Sequence, residues 1–282
     1  DLKVGDRVIA SWVPSCGTCF WCMRGQTNLC QSFSLGSERA PWLLADGTPV
    51  RTQLGLGTMA ELMLGHERSF VKVDTDLPDE ALALVGCGVS TGALAAMRAA
   101  PVTPGDTVAV FGCGGIGTSV IQGARIAGAV TIIAIDAVEL KLSTAVRLGA
   151  THTVDATEVD PIEAVRELTG GRGVDVAFEA GGSRDTATWA VDATRRGGIA
   201  VCVGGGMPSL KNVSLFQPKT VKWTSYGDAD PRRDFPMLVA MADNGQLDLT
   251  TGVSSRITLD QVMDGFAAME RGEVIRSVIM LS

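Results

Sequence analysis

The chain lacks any run of basic residues. Its 24 lysines and arginines are outnumbered by 31 acidic residues, and the formal net charge is −7 at pH 7. Proteins that bind nucleic acid rely on clustered positive charge to neutralise phosphates. The composition therefore argues against a nucleic-acid partner.

Long apolar runs are also missing. The most apolar stretches, such as 129–135, are interrupted well before the ~20 residues that a membrane-spanning helix needs, and no charged-then-apolar signal segment opens the chain. With 46% hydrophobic and 20% charged residues over 282 positions, the chain can bury a full core. We expect a soluble cytoplasmic protein with one large or two ordinary domains and no membrane partner.

An initiator methionine is absent as well. The sequence begins at Asp1 and enters a turn and a strand at once, over 4–10. This start is typical of a fragment or a trimmed sequence, and a processed N-terminus is the alternative. Residues upstream of Asp1 would then belong to the same protein.

The cysteines that are present follow an informative pattern. Four of the seven are spaced C-x2-C-x2-C-x7-C, namely Cys16, Cys19, Cys22 and Cys30. Thiolates two residues apart can face one tetrahedral zinc ion, and a fourth thiolate a few residues on closes the coordination shell. Because a closed shell leaves no position for a substrate, the predicted site is a structural zinc site.

A pair of disulfides in a secreted domain is the alternative for these four cysteines. Such domains are short and dense in cysteine. This chain is long, and its other three cysteines, Cys87, Cys113 and Cys202, stand singly in apolar, glycine-rich surroundings. That distribution is typical of a reducing compartment and favours zinc ligation.

The rhythm of the sequence changes near residue 90. Before it, short strand-like runs alternate with loops rich in Gly, Pro and Asp, which predicts an irregular β-rich domain. The strands predicted there are 7–13, 59–64 and 69–73. After residue 90, near-continuous apolar strands alternate with helices, which predicts a parallel, doubly wound α/β sheet.

The predicted elements of this second part can be given by number. The strands are 107–111, 131–135, 152–154, 174–179 and 199–203. The helices between them are 115–127, 139–148, 161–168 and 184–193. From about residue 228 the pattern weakens into two helices, 235–243 and 259–271, and a final strand, 277–281.

A glycine-rich motif occupies the first strand-to-helix turn of this part. Residues 112–117 read Gly-Cys-Gly-Gly-Ile-Gly, a G-x-G-x-x-G sequence in the expected context. Gly112 permits the tight turn, Gly114 lets the backbone approach a pyrophosphate, and Gly117 lets helix and strand pack closely. Gly115 and Ile116 complete the turn, where the helix N-terminus offers free N–H groups to phosphates. The motif predicts a dinucleotide site, with a turn that merely packs as the alternative.

An acidic residue ends the next strand. Asp136 lies nineteen residues beyond Gly117, where a carboxylate accepts hydrogen bonds from ribose hydroxyls. A carboxylate at this position would repel a 2′-phosphate, so we predict NAD(H) rather than NADP(H). A solvated strand end is the alternative for Asp136.

Together these blocks resemble the zinc-containing medium-chain alcohol dehydrogenases. The lobe from Cys16 to Cys30 resembles that family's structural-zinc loop, and 112–117 with Asp136 resembles its coenzyme fingerprint. Residues 86–92, Gly-Cys-Gly-Val-Ser-Thr-Gly, resemble the segment that holds a catalytic-zinc cysteine. The match continues in the family's order to the end of the chain through 55–58, 148–151 and 272–277.

The resemblance implies a Rossmann domain inserted in a β-rich, chaperonin-10-like catalytic domain. The expected parts are 1–88, a partial catalytic domain with the zinc lobe; 89–227, the NAD-binding Rossmann domain; and 228–282, the return to the catalytic domain. A homodimer or homotetramer is also implied, because 213–223 resembles the region through which family members pair their sheets across a two-fold axis.

The resemblance also assigns roles to single residues. Cys87 would be one thiolate ligand of a catalytic zinc, and Thr91 would lie beside the nicotinamide. The other implied contacts are Lys141 near the adenosine ribose, the backbone of Val203 on the nicotinamide side and Arg276 at the pyrophosphate. From the residues alone, Cys87 is better explained as a small core thiol, and Lys141 and Arg276 as solvated charges.

The chain departs from the family at this second zinc site. The family's other catalytic-zinc ligands, a cysteine and a histidine in a Gly-His-Glu segment, lie upstream of the zinc lobe, and this chain starts too late to contain them. The Gly-His-Glu at 65–67 follows the lobe instead, so we expect His66 to be a surface residue and His152 a core or edge histidine. The chain as given is expected to keep structural zinc and NAD but to be an incomplete catalytic unit.

The activity implied for the parent is NAD-linked oxidation of a primary alcohol, or reduction of an aldehyde, with zinc as a Lewis acid on the substrate oxygen. The substrate can be an ordinary alcohol or a glutathione or mycothiol adduct of formaldehyde, and the sequence does not decide between them. It also does not decide whether the protein holds NAD tightly. Loop 37–52 is expected to line part of the alcohol pocket. Two other readings remain: a zinc-free quinone or enoyl reductase, which would lack the cysteine lobe and Cys87, and a noncatalytic module that binds zinc and nucleotide.

Overall fold

Short strands and loops make up the N-terminal part of the chain. The computed structural model describes residues 2–31 and 42–281. The strands of this part are β1 (Val8–Ala10), β2 (Trp42–Leu43), β3 (Pro49–Val50) and β4 (Phe70–Lys72). β1 pairs antiparallel with β4, and β2 with β3. The irregular β-rich region is confirmed, and of the expected pocket loop 37–52, residues 37–41 lie outside the described residues.

One predicted strand is wrong. Residues 59–64 form bends rather than a strand, and Met59, Leu62 and Leu64 are 53%, 81% and 59% exposed. Within the described ranges, no strand lies beside this segment to accept its backbone hydrogen bonds. A short apolar run forms a stable strand only where a neighbouring strand pairs with it.

A helical segment connects the first part of the chain to the sheet. It contains α1 (Asp79–Leu82) and α2 (Ser90–Leu94). A π-type turn over Val85–Val89 separates the two helices, and a second one over Ala95–Ala99 follows α2. By length and composition Asp79–Ala99 could cross a membrane, since it has 21 residues and a mean hydropathy of 1.5. However, 67% of that stretch is buried inside the protein, which is typical of a core helix.

A six-stranded sheet forms the centre of the fold, and all neighbouring strands in it run parallel. Its strands are β5 (Thr107–Phe111), β6 (Thr131–Asp136), β7 (His152–Asp155), β8 (Val174–Glu179), β9 (Thr194–Cys202) and β10 (Thr220–Trp223). The strand order is β10-β9-β8-β5-β6-β7. The chain therefore builds outward from β5 in one direction and then in the other, as predicted for a doubly wound sheet, and ligands bind such sheets at the carboxyl ends near the switch point.

Helices cover both faces of this sheet. They are α3 (Gly115–Ile126), α4 (Glu139–Leu148), α5 (Pro161–Leu168) and α6 (Arg184–Ala193). In β5, Val108 and Val110 join the cluster that contains Ile121 of α3, whereas Ala109 and Phe111 join the cluster on the α5 and α6 side. This alternation is the period-two geometry of a strand buried on both faces.

Close helix packing fixes α2 against α3. A Cβ added at Gly92 would lie 2.3 Å from the carbonyl oxygen of Ile116, and one added at Gly123 would lie 2.5 Å from that of Ala93. Real side chains do not approach backbone so closely, so these positions require glycine. The segment that carries Cys87 is therefore held firmly beside the start of α3.

The C-terminal part returns to the N-terminal part of the chain. It contains α7 (Pro231–Asp243), β11 (Val253–Ile257), α8 (Val262–Glu270) and β12 (Arg276–Ile279). Phe235 and Leu238 of α7 share one core cluster with Ile9 and Val71. β11 pairs parallel with β12; the sequence pattern predicted β12 but neither β11 nor β10.

Candidate metal centre and coenzyme cleft

The four cysteines of the zinc lobe, which we define as residues 16–30, converge on one point. All four sulfur atoms lie within 4.8 Å of one another. The Sγ atoms of Cys16 and Cys22 are 4.0 Å apart, and those of Cys19 and Cys30 are 3.9 Å apart. Four thiolates at about 2.3 Å from a tetrahedral zinc ion would be separated by about 3.8 Å. The donor set fits one zinc ion, and the disulfide alternative fails because all seven cysteines are free.

Backbone groups prepare this site for a cation. Hydrogen bonds from the backbone N–H groups of Thr18 and Cys19 lower the pKa of Cys16 to about 5, whereas burial raises the pKa of Cys22 to about 12. Four thiolates can share so small a volume only when a metal ion neutralises them, and zinc binding therefore releases protons.

Contacts from two other parts of the chain hold the zinc lobe in place. The guanidinium of Arg68 donates to the carbonyl oxygens of Ser15, at 3.2 Å, and Cys16. On the other side, Thr27 Oγ1 donates to the carbonyl oxygen of Ala229 at 3.4 Å, and Asn28 Nδ2 donates to Asp228 Oδ1 at 3.4 Å. The lobe thus touches the segment that follows β10.

The coenzyme turn, residues 112–117, has the geometry that the motif predicts. Gly112 adopts a φ of 93°, and a Cβ there would lie 2.6 Å from the N atom of Gly181. A Cβ at Gly117 would lie 1.8 Å from the carbonyl oxygen of Gly112. Gly114 faces open space, with no atom within 4 Å of an added Cβ. The turn therefore leaves room for a ligand at the N-terminus of α3.

The guanidinium of Arg276 lies at this helix N-terminus. A Cβ at Gly115 would lie 1.9 Å from Arg276 Nε, and a Cβ at Gly88 would lie 2.5 Å from Arg276 Nη2. Across the described residues Arg276 makes no side-chain hydrogen bond or ion pair, and burial lowers its pKa. A partly buried guanidinium beside free N–H groups is a site for an anion such as a pyrophosphate.

Asp136 lies at the edge of the same turn. Its carboxylate accepts hydrogen bonds from the backbone N–H groups of Cys113 at 2.7 Å, Ala137 at 2.8 Å and Val138 at 3.1 Å. Lys141 Nζ lies 3.8 Å from Asp136 Oδ1. The carboxylate is thus fixed in position beside the coenzyme turn, which argues against a freely solvated strand end.

A cleft of about 1070 Å³ runs from the coenzyme turn to the N-terminal part of the chain. The residues that line it include Arg276, Gly115, Cys87 and Trp12. Cys87 is exposed, so the interpretation of Cys87 as a core thiol is wrong. The flanking glycines, 86 and 88, carry no side chain that could bury it.

Some of the predicted site residues are not among those that line the cleft. Thr91 is 7% exposed and is not among the residues that line the cleft. Val203 follows β9, and its N–H donates to the carbonyl oxygen of Glu179 at 2.9 Å. His66 is half-buried and accepts a hydrogen bond from the N–H of Arg68, and His152 is exposed at the start of the edge strand β7, as expected for an edge histidine.

The described ranges contain no second group of side chains arranged as metal ligands. The zinc lobe is the one group of His, Cys, Asp or Glu side chains there with metal-binding geometry, and Cys87 lies outside it. A single thiol does not hold a zinc ion.

The sequence patterns did not identify two buried polar residues, Tyr226 and Glu179, as parts of the site. Tyr226 is 2% exposed and donates a hydrogen bond to the carbonyl oxygen of Gly86, and Glu179 is fully buried at the end of β8. The available signals were weak: Tyr226 is the single tyrosine of the chain, and Glu179 ends an otherwise apolar strand.

Two family descriptions match this chain. Residues 1–75 match the family described as "Alcohol dehydrogenase GroES-like domain". Residues 115–244 match the family described as "Zinc-binding dehydrogenase". The two matches lie on either side of Cys87.

Curated relatives extend the similarity over the whole chain. An NDMA-dependent alcohol dehydrogenase of Amycolatopsis methanolica is 37% identical over 298 aligned residues, which cover 100% of this chain and 79% of the relative. An S-(hydroxymethyl)glutathione dehydrogenase of Escherichia coli O1:K1 / APEC is 35% identical, with 99% and 79% covered.

Solved structures agree with the sequence comparisons. An alcohol dehydrogenase zinc-binding domain protein from Burkholderia ambifaria superposes with a TM-score of 0.89 at 32% identity. Benzyl alcohol dehydrogenase from Acinetobacter calcoaceticus superposes with a TM-score of 0.88 at 30% identity. Each comparison covers 100% of this chain and 79% of the other.

Proposed function

Because the chain belongs to the zinc-containing medium-chain alcohol dehydrogenases, we propose that the cleft between Arg276 and Cys87 is where its coenzyme and substrate meet. The protein is a zinc-dependent oxidoreductase that transfers a hydride between an alcohol or aldehyde and NAD(H). Its cofactors are NAD and the zinc ion of the four-cysteine lobe. The observation that carries the site assignment is the Arg276 guanidinium at the N-terminus of α3, which has no partner among the residues that the structure describes.

The coenzyme would lie across the carboxyl ends of β5 and β6. Its pyrophosphate would contact the coenzyme turn, including Ile116, and Arg276. The adenosine ribose would contact Asp136, with Lys141 beside it. The nicotinamide end would extend toward Thr91 and Val203. The support for this placement is the room beside Gly114, the free N–H groups of α3 and the fixed Asp136 carboxylate.

Cys87 would act at the substrate end as one thiolate ligand of a catalytic metal. The support is its exposure in the cleft and its closeness to Arg276, whose pKa it raises against the effect of burial. We assign no reaction step to a metal at Cys87, because the described residues provide no further ligand group around it.

The chain's own residues prepare the hydride transfer. NAD, when bound, supplies the hydride acceptor. Arg276 and the N–H groups of α3 would bind its diphosphate, and Asp136 would fix its ribose, so that the nicotinamide end is held toward the cleft. The apolar walls, which include Trp12, Leu54 and Leu56, would exclude water and position the substrate carbon.

These walls also favour an apolar primary alcohol as the substrate. A benzyl alcohol-like molecule would find an aromatic and aliphatic surface in Trp12, Leu54 and Leu56. A thiol adduct of formaldehyde is the alternative, named by one of the relatives. The relatives' names mark both classes as chemistry that this scaffold supports.

The test of this function is NADH formation by the zinc- and NAD-loaded protein, produced with the residues that are expected upstream of Asp1. We expect benzyl alcohol and short primary alcohols to reduce NAD, and we expect zinc per chain, by elemental analysis, to be at least one. S-(hydroxymethyl)glutathione in the same assay tests the alternative substrate. Failure of every alcohol and adduct to reduce NAD, with zinc bound, would contradict the proposed activity and favour a noncatalytic binding module.

The chain would divide at 88/89 and 227/228 into a catalytic part, a Rossmann part and a returning catalytic part. The support is the distribution of the apolar clusters. Ile9, Leu82 and Phe235 share one cluster, whereas the sheet residues form clusters of their own. Hydrogen exchange should show 1–88 and 228–282 opening together and separately from the central sheet, and simultaneous opening of all three parts would contradict the division.

A homodimer or homotetramer is the assembly that we propose, formed through the β10 edge. Leu215 and Phe216 are 86% and 78% exposed next to that edge strand. Sedimentation as a monomer at micromolar concentration would overturn this assembly. A cytoplasmic location is also proposed, because Cys113 and Cys202 remain free thiols.

Asp136 should decide the choice between NAD and NADP. In Asp136→Ser the ribose acceptor and the repulsion of a 2′-phosphate are both removed, so the ratio of kcat/KM for NAD over NADP should fall by about 10²-fold. Steady-state kinetics with both coenzymes measures this ratio. The matched control is Asp155→Ser, since Asp155 is the register partner of Asp136 on β7; an equal fall in both variants would contradict the assignment.

A further inference from the structure

Tyr226 is a buried side chain that packs against one of the residues that line the cleft. It follows β10 and precedes α7, and its side chain is 2% exposed. Its ring packs against Trp12, with the centroids 4.9 Å apart, and against the edge of Phe235 at 6.3 Å. Because Trp12 lines the cleft, the Tyr226 ring forms the layer directly behind that wall.

The hydroxyl of Tyr226 lies in a hydrogen-bond chain whose direction can be deduced. The carbonyl oxygen of Gly86 can only accept, so Tyr226 donates its single proton to it. Ser11 must then donate to Tyr226 Oη, at 3.4 Å, and Ser11 Oγ accepts from the N–H of Val13 at 3.2 Å. These hydrogen bonds therefore connect the end of β1, through the Tyr226 hydroxyl, to the carbonyl group of the residue before Cys87.

This donor stays protonated at neutral pH. Burial raises the pKa of Tyr226, against the smaller opposite effect of the hydrogen bond with Ser11. The hydrogen bond to Gly86 is thus present in the range in which a dehydrogenase works.

The backbone around Tyr226 is held in an unusual conformation. Tyr226, Gly227 and Asp228 have φ values of 62°, 67° and 59°. These values lie in the left-handed region, which is unfavourable for residues other than glycine. Such backbone persists only where its surroundings fix it, and it concentrates at functional sites. Here Asp228 accepts from Lys222 at 2.6 Å and from Thr224 at 2.7 Å.

Gly227 also packs this turn against α2. A Cβ there would lie 2.5 Å from the carbonyl oxygen of Thr91. Together with the Asp228 contacts, this packing defines where the Tyr226 side chain can point, and the conformation is therefore imposed from several sides.

Cys87 needs an anchor of this kind. Its thiol makes no hydrogen bond within the part of the chain that the structure describes, and glycines flank it at 86 and 88. In the same part of the chain, the Tyr226 hydroxyl is the only side-chain donor that bonds to the backbone of 86–88. The backbone hydrogen bonds of the π-type turn also hold this segment, and the Tyr226 hydroxyl adds an anchor at the residue before Cys87.

We propose that Tyr226 is a positioning residue whose hydroxyl fixes the Gly86 carbonyl and thereby the place of the Cys87 thiol in the cleft. The part of this inference that concerns catalysis rests on the role proposed above for Cys87. The anchoring itself is a geometric claim that can be tested without activity.

The variant Tyr226→Phe tests the anchoring in the zinc-loaded enzyme. It keeps the buried ring and removes the donor. Cys87 is the one exposed cysteine of the chain, so its alkylation by iodoacetamide, mapped by peptide mass spectrometry, reports its mobility. We expect the rate to rise about threefold to tenfold, and kcat to fall with little change in the KM for NAD. An unchanged alkylation rate would overturn the proposal.

The matched control is Ser11→Ala. It removes the buried hydroxyl that donates to Tyr226 but keeps the hydrogen bond from Tyr226 to Gly86. Its alkylation rate should stay within about twofold of the wild type, and an equal rise in both variants would show a general packing effect and overturn the proposal. If Tyr226→Phe speeds alkylation while Cys87→Ser keeps full activity, the anchoring stands and the proposed role of Cys87 fails.

A second measurement needs no substitution. Tyr226 is the only tyrosine, so 3-fluorotyrosine places a single fluorine next to Gly86. Alkylation of Cys87 should shift its ¹⁹F resonance, because the modified thiol lies one residue from the carbonyl that the hydroxyl holds. An unmoved resonance after complete alkylation would count against the contact.

Discussion

Removal of the zinc ion is expected to unfold the zinc lobe while the central sheet stays folded. The lobe contains two three-residue 3₁₀ turns, Cys22–Arg24 and Thr27–Leu29. Of its side chains, Thr27 and Cys30 are buried. So little apolar burial cannot offset the entropy of ordering fifteen residues, and the metal bonds must supply the difference. Local opening then precedes global unfolding.

Hydrogen exchange measured by mass spectrometry tests this expectation. After chelation, or in Cys30→Ser, peptides from 16–30 should exchange about 10²-fold faster or more, and peptides from β5 and β8 should not change. Zinc per chain should fall by one. The control is Cys202→Ser, a buried cysteine of the sheet that lies outside the cluster and should leave the zinc content unchanged.

The contacts of the lobe extend the expected effect to the turn after β10. Thr27 and Asn28 donate to Ala229 and Asp228, so peptides over 226–229 should also exchange faster when zinc is lost. Protection of 16–30 that persists after complete zinc removal would contradict a metal-stabilised lobe.

The sequence anticipated the coenzyme turn and the zinc lobe because their geometry is local. Gly112 adopts a positive φ of 93° and Gly117 is required by its contact with the Gly112 carbonyl, while a fixed spacing of cysteines is enough to bring four sulfurs together. The ends of some helices are equally local: α4 ends at Gly149, which adopts a φ of 117°. The predicted bounds of β5 to β8 and of α3 to α6 are correct to within one residue for the same reason. β9 begins five residues before the predicted strand 199–203, and β10 was not predicted.

The remaining features depend on pairs of residues far apart in the chain. Tyr226 and Gly86 are separated by 140 positions, and no periodicity encodes their contact. Arg276 next to Gly115 was expected only from the family resemblance, since a lone arginine near a chain end carries no local signal. Residues 59–64 show the opposite failure, because their apolar run resembles a strand but the described structure supplies no strand to pair with them.

Replacement of Glu179 by leucine should be the most destabilising single change near the coenzyme site. Glu179 is fully buried at the carboxyl end of β8. Its carboxylate accepts from the N–H groups of Gly182 at 2.5 Å, Gly204 at 3.2 Å and Gly206 at 3.3 Å. Thr186 Oγ1 donates to it at 3.2 Å. These donors join the turn after β8 to the turn after β9.

Leucine has a similar size but accepts no hydrogen bond, so Glu179→Leu leaves several buried donors without partners. At about 1–3 kcal/mol for each donor left unpaired, we expect a loss of roughly 4 kcal/mol and a fall in Tm of about 10 °C. Glu179→Gln keeps one acceptor oxygen and should lose less. Glu167→Leu, at an exposed position of α5, is the control and should change the free energy of unfolding by at most about 0.5 kcal/mol.

The same variant should weaken coenzyme binding at one end only. Glu179 holds the turn that begins at Val203, on the nicotinamide side, and has no contact with Asp136 at the ribose. The Kd for NAD, measured by calorimetry below the Tm of the variant, should rise several-fold, whereas the Kd for AMP should not. A Tm within 2 °C of the wild type, or an equal loss of AMP binding, would contradict the role of Glu179 as the acceptor that joins these two turns.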